Sequence, residues 1–218
     1  MTQSQQQSYR LFIPGVVVLL YVFALDKTLL TSYKIIENSI GDERTIVYST
    51  YVIIASIIGA IYMIFKVRFA VWDMYLPVVQ RHIIHRLLTF AGRKYDSLYF
   101  ADIKNVKKVM NVFYQLIDND NSLTTRSNTV RLNGLVWTSI MDLAVISLVV
   151  FGVVFTYGLV TLNSDFVLWS YFPSLIALLC LITLPVITNS HIEAGDKQLD
   201  YIGQHMKNEL TIKLNEIL

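Results

Sequence analysis

Apolar residues in this chain are laid down in two rhythms. Four long runs are almost continuously apolar, and between and after them apolar residues recur three or four positions apart. The long runs extend from about Tyr9 to Leu30, Ile46 to Phe69, Leu135 to Leu162 and Phe166 to Thr188. Each is near the length of about 20 residues that a helix needs to cross a bilayer. Asp26 and Lys27 shorten the apolar part of the first run, which centres on Leu11 to Leu25. The preceding MTQSQQQSYR holds one basic residue, Arg10, and no small-residue cleavage site follows, so the first run reads as an uncleaved span. Pro14 is expected in the opening turn of that span, Pro173 in an early turn of the fourth and Pro185 at its end.

The second rhythm predicts amphipathic helices. Val79, Ile83, Leu87 and Phe90 share one helical face, with Arg81, His82, His85 and Arg86 partly on others. This helix is expected to continue inward from span two, bent at Pro77 and closed by Ala91-Gly92-Arg93-Lys94. Tyr99, Ile103, Val106, Met110, Phe113 and Ile117 follow a heptad seam, and Lys104, Lys107 and Lys108 take the opposite side. That seam fits an antiparallel hairpin with the preceding helix, and it also fits packing between subunits. After Asp118-Asn-Asp-Asn-Ser122 a helix is expected to restart with Ser122 as its cap and run into span three. The same pentapeptide resembles the start of a calcium loop, but Leu123 and Thr129 stand where that loop needs glycine and glutamate, which argues against calcium. The tail carries a last stripe: Leu199, Ile202, Met206, Leu210, Leu214 and Ile217.

The fold class that follows is all-α: a polytopic membrane protein with four transmembrane helices, a helical hairpin between spans two and three, and a C-terminal amphipathic helix. Its expected parts are a transmembrane hairpin over 1–77, a cytoplasmic helical segment over 78–134, a second transmembrane hairpin over 135–188 and a tail helix over 189–218. Composition agrees, since 54% of residues are hydrophobic and 16% charged, against roughly 25% charged in soluble domains. The distribution of charge orients the chain. Lys66, Arg68, Arg81, Arg86, Arg93, Lys94, Lys104, Lys107, Lys108, Arg126 and Arg131 lie between spans two and three. Only Lys27, Lys34 and Arg44 lie between spans one and two, and none lies between three and four. The retention of basic loops in the cytoplasm then places both termini inside, in a cell inner membrane. Two short outer loops leave the inner face, or the bilayer itself, as the place for a binding surface. In the tail, Glu193, Asp196, Asp200, Glu209 and Glu216 outnumber Lys197, Lys207 and Lys213, which favours a protein partner over anionic lipid.

Catalytic chemistry is hard to find. There is no glycine-rich phosphate loop, nucleophile elbow or zinc-protease motif, so no enzyme, catalytic residue or cofactor is expected. His82 and His85 could hold a metal with Asp73 or Asp96, but histidines among arginines are more often a plain polar face, and no metal is expected. Cys180, the one cysteine, reads as a small hydrophobe inside an apolar run. Nucleic acid is disfavoured, because the basic segment lacks interleaved exposed aromatics. Ala55 with Gly59 and Ser56 with Ala60 permit close helix contact in span two. Asp142, some two turns into span three, is the residue with most to explain, since an acid there must be paired or hydrated. It could line a cation path, pair with an arginine or lysine at the inner interface, or hold a neighbouring helix.

In layout the chain resembles the small four-span membrane subunits of bacterial anti-phage systems, notably the Kiwa membrane subunit, and more distantly the membrane accessory proteins of some CRISPR systems. The stretches Phe113-Tyr-Gln-Leu-Ile-Asp-Asn-Asp-Asn-Ser-Leu123 and Arg131-Leu-Asn-Gly-Leu-Val-Trp137 carry the likeness, and no functional residues transfer with it. The resemblance implies an anti-phage role. The residues themselves point to a homo-oligomeric membrane scaffold or sensor that recruits a cytoplasmic effector through Lys104, Lys107 and Lys108 and the tail residues Leu199, Ile202, Met206 and Leu210. The alternative is an oligomeric pore or channel, lined by Asp142 with Tyr48, Tyr51 and Tyr62. The expected partners are membrane lipids, further copies of the chain and a soluble effector.

Overall fold

A computed structural model describes residues 3–25 and 44–218. The segment between the first two apolar runs, with Lys27 and Lys34, lies outside the described residues, as do the side chains of Arg44, Tyr48 and Arg126. The described residues are helical, without strands. The helices are α1 (Gln3–Leu25), α2 (Arg44–Ile64), α3 (Phe69–Phe90), α4 (Ile103–Asn119), α5 (Asn121–Val160), α6 (Ser164–His205) and α7 (Lys207–Ile217), with a 3-10 turn at Tyr99–Ala101. Among them α1, α5 and α6 are long and apolar enough to cross a membrane.

The chain divides into two compact units. The apolar unit comprises Gln3–Val71 and Leu135–Pro185, and the amphipathic unit Trp72–Gly134 and Val186–Leu218. In the apolar unit α1 packs along α2. The approach is close because two glycines meet backbone: a Cβ on Gly15 would lie 1.7 Å from the Ala55 carbonyl oxygen, and one on Gly59 would lie 1.8 Å from that of Leu11. Ala55 and Gly59 are the small pair of the second apolar run, and Gly15 of α1 lies against Ala55. Such contact lets dispersion and Cα–H···O attraction act directly between the two backbones. Tyr21, Tyr62 and Ile146 form a small core beside it, with Val17, Val18, Val67, Val150 and Ile176 around them.

The amphipathic unit is built differently, around one apolar core. Ile84, Leu87 and Leu88 of α3, six side chains of α4, Leu123 of α5, Leu199 and Ile202 of α6, and Leu210 and Leu214 of α7 are buried together. On α4 the buried face is wider than a heptad seam. Val109, Val112 and Leu116 join Met110, Phe113 and Ile117, while Ile103 of the expected seam is 64% exposed. A helix with neighbours on more than one side needs a broad apolar face, and α4 packs against α7 as well as contributing to the core shared with α3.

Helix ends depart from expectation in four places, each with a local cause. Pro14 is not in an opening turn, because the polar residues from Gln3 onward are already helical and put it inside α1. Pro185 does not end the fourth apolar run; α6 continues through it to His205, losing one backbone hydrogen bond rather than the helix. Pro77 likewise lies inside α3, and the break falls earlier, at Phe65–Arg68. There the Lys66 amide donates to Met63 O and the Val67 amide to Tyr62 O, the paired bonds of a Schellman closure, with Lys66 at φ 53°. Finally, α5 is capped by Asp120 and not Ser122: its carboxylate accepts from the amides of Ser122 at 2.8 Å and Leu123 at 3.0 Å. Asp120 sits in extended backbone at the end of α4, which frees its side chain to turn toward the next helix.

Candidate functional site

Two groups of residues combine chemistry with placement, one in each unit. In the apolar unit the group grows from Asp142, which is 1% exposed on α5. The Schellman closure after α2 turns Arg68, 6% exposed, back toward it. The guanidinium meets the carboxylate with two bonds, Nε donating to Oδ1 at 2.6 Å and Nη2 to Oδ2 at 2.5 Å. The Tyr62 hydroxyl donates to Oδ1 at 2.9 Å. This fork-to-fork geometry is the strong form of a carboxylate pair, and an isolated ion at such burial is costly.

Arg68 has a further role that Pro14 explains. Proline lacks an N–H, so the carbonyl four residues earlier, that of Arg10, loses its helical partner. Arg68 Nη2 donates to this same carbonyl at 3.3 Å. One guanidinium therefore joins α1 through its backbone to α5 through a carboxylate, with Tyr62 of α2 on the same oxygen. A second polar contact lies on the same two outer helices: Ser147 gives its one proton to Leu143 O at 2.5 Å, so the Tyr21 hydroxyl is the donor in their 2.6 Å bond. Of the three roles open to Asp142, the geometry is that of pairing with an arginine, and the pair also holds neighbouring helices. With three donors on its two oxygens, the carboxylate is a structural staple. In the sequence Arg68 is one of eleven basic residues between the second and third apolar runs. Its spacing from the apolar end of span two, with Pro14 four residues after Arg10, was the available signal.

In the amphipathic unit the group is the outer face of α4. Asp102 caps the helix, accepting from the Lys104 amide at 2.9 Å, and this sets its first turn. Because Val109, Val112, Phe113 and Leu116 face the core, Lys104, Lys107 and Lys108 are exposed, along with Ile103 and Tyr114. Among the described residues no carboxylate lies within ion-pair distance of these lysines. The four tail residues expected to share in partner binding are placed otherwise. Leu199, Ile202 and Leu210 are buried in the unit's own core and Met206 packs against it. The stripe is covered by α3, α4 and α5 of the same chain, so it builds the platform and leaves the lysines to face outward.

Some other polar groups of this unit pair across helices. His82 of α3 meets Asp196 of α6 at 2.7 Å, and Arg86 reaches Asp196 at 3.9 Å and Asp200 in a short contact. Arg93 Nη2 donates to Asn215 Oδ1 at 2.5 Å. A basic residue of α3 and acids of the tail thus meet within the chain. His85 lies beside Tyr95, and among the described residues no three histidine, cysteine, aspartate or glutamate side chains are grouped to hold a metal. The Asp120 cap has an electrostatic signature: the Leu123 amide above all, with the Ser122 amide and the Tyr201 hydroxyl, holds its carboxyl below the usual carboxylate range. Comparison of the chain with protein-family models, curated sequences and solved structures finds no match.

Proposed function

We propose that the chain is an oligomeric scaffold or sensor that spans a cell inner membrane four times, with both termini in the cytoplasm, and recruits a soluble effector. The setting implied by the sequence resemblance is anti-phage defence. Support for the fourth span comes from α2, whose 21 residues extend about 31 Å, close to the roughly 30 Å of a bilayer's apolar core. Orientation rests on the lysines and arginines between spans two and three.

The observation that carries the recruitment reading is the outer face of α4. Three lysines that meet no carboxylate among the described residues stand on a helix whose other face is anchored in a core, so their positions are fixed. Elsewhere in the same unit Arg86 meets Asp196 and Asp200, and Lys213 meets Glu209. The pore alternative has no comparable observation, since the carboxylate it would use is engaged by Arg68 and Tyr62.

Purification of the tagged chain from native-like cells in mild detergent tests the reading. The expected result is a defined oligomer carrying a stoichiometric soluble protein, which K104E/K107E/K108E loses while retaining its own assembly. Unchanged recruitment in that variant, or a partner-free oligomer from the native chain, would refute it.

A further inference from the structure

The lysine face of α4 is preceded in sequence by a pocket. Leu88 of α3, Tyr99 and Phe100 of the 3-10 turn, and Leu218 give it apolar walls, and Arg93, Lys94 and Asp96 line it from the connection between α3 and α4. Its volume is about 310 Å³. That is the bottom of the range for small-molecule sites, roughly 300–1,000 Å³, and suits one or two bulky side chains better than a whole cofactor.

The pocket has a rigid frame. Gly92, at φ 72°, allows the tight closure of α3, with the Gly92 amide on Thr89 O and the Arg93 amide on Leu88 O, and this delivers Arg93 and Lys94 directly after the turn. Arg93 is tied to Asn215 and Lys94 is exposed. Phe100 is stacked on Tyr95, with ring centroids 5.2 Å apart, and edge-on to Tyr99 at 5.1 Å. Asp96, the one acidic side chain of the lining, accepts from the amides of Leu98 and Tyr99 at 2.9 and 3.3 Å. Its charge is partly met by the loop itself, whereas the cations keep theirs. Beside this frame Leu98 is 86% exposed, an apolar side chain with no cover of its own.

We infer that this pocket takes a bulky apolar side chain from an acidic segment of the recruited protein, with Arg93 and Lys94 meeting its carboxylates at the rim and the lysines of α4 meeting those further along. The inference rests on the recruitment reading and specifies the partner's chemistry: an acidic peptide segment with a leucine-, methionine- or phenylalanine-like anchor. Charge complementarity selects it. Arg93, Lys94, Lys104, Lys107 and Lys108 occur within sixteen residues of sequence, where Asp96 and Asp102 are the only acids and both accept from backbone amides. Anionic lipid fits less well. A helix lying on a bilayer inserts an apolar face, and the apolar face of α4 is buried in the core. An apolar anchor in a desolvated pocket, ringed by polar contacts, is the usual centre of binding energy at a protein interface.

The test uses the full chain in neutral-lipid nanodiscs and a displayed library of random peptides, with K94E, Y99W and K104E/K107E/K108E run in parallel. K94E alters an exposed side chain and Y99W narrows the pocket, so neither removes a core residue. The expected outcome is enrichment of peptides that combine several acids with one bulky apolar residue, with affinity reduced roughly tenfold or more by K94E and by Y99W. Enriched peptides that respond to the α4 triple variant alone would overturn the pocket and leave recruitment standing. Absence of enrichment, or peptides of other composition, would overturn the inference whatever the purified effector shows. Phosphatidylglycerol vesicles that bind the native chain in place of peptides, and lose binding in K94E, would assign the pocket to lipid and overturn it too.

Discussion

Among the described residues, Arg68 and Arg86 each meet aspartates from distant helices, and they do so under opposite conditions. Arg68 and Asp142 are almost wholly buried in the apolar unit, doubly hydrogen-bonded, with Tyr62 on the same carboxylate. Arg86 reaches Asp196 and Asp200 in the amphipathic unit with about a third of its side chain exposed. Water competes for the second set and not for the first. The same pair of residue types is therefore a structural necessity in one place and a trim of the surface in the other. The packing around them differs in the same sense. The amphipathic unit gathers leucines, isoleucines and valines into a core, whereas the apolar unit, whose outer surface is itself apolar, relies on glycine contacts and buried polar bonds.

The sharpest way to break the comparison is to remove one partner of the buried pair. Asp142→Asn leaves Arg68 charged among apolar helices, and the expected cost is about 3–5 kcal/mol, read as a fall in the thermal midpoint and in the yield of folded protein. Replacing both partners, Arg68→Met with Asp142→Leu, is expected to recover most of that loss. The Arg10 carbonyl and Tyr62 hydroxyl would then be left short of a partner, so recovery should be incomplete. A double variant as unstable as the single would mean that the charge pair itself is not what Asp142→Asn disturbs.

A smaller effect separates the two kinds of packing. Gly15→Ala places a methyl group against the backbone of α2, which cannot yield without separating the helices, and a loss of about 1–3 kcal/mol is expected. Gly203→Ala in the amphipathic unit meets the edge of the Phe90 ring at 2.7 Å. That ring can shift, and alanine gains about 1 kcal/mol of helix propensity over glycine, so the net change should lie near zero. Equal losses at both sites would show that the α1–α2 approach is looser than the geometry indicates.

The sequence displayed the apolar runs and stripes openly, because both are periodic and local. It displayed less of what closes them. An acid at Asp142 announced the need for a partner, but Arg68 stands 74 positions away, and only the turn at Phe65–Arg68 brings it back. Pro185 misled for a related reason: a proline that would end a soluble helix is tolerated in an apolar one. Asp120 and Ser122 are both good caps two residues apart, and the choice fell to the extended backbone of Asp120. The stripe of Leu199, Ile202, Met206 and Leu210 was legible as a surface to be covered, yet periodicity does not say which chain covers it. In the structure the cover is α3, α4 and α5 of the same chain, which is why the lysines of α4 become the more informative surface.

The smallest expected effect is at the exposed end of the comparison. Arg86→Ala removes contacts to Asp196 and Asp200 that water and salt already weaken, and exposed pairs contribute roughly 0.2–1 kcal/mol. Arg86 also lies over the Phe90 ring, 5.1 Å from its centroid, an interaction of similar size. The two contributions respond differently to salt. The ion pairs fade as the Debye length falls from about 10 Å at 0.1 M to about 3 Å at 1 M, while packing of the guanidinium on the ring persists. Arg86→Ala should therefore lower the thermal midpoint slightly at low salt and by less at high salt, and Asp200→Asn should lose its effect at high salt altogether. A penalty for Asp200→Asn that survives 1 M salt would place this pair with Arg68 and Asp142, as a contact that water does not reach.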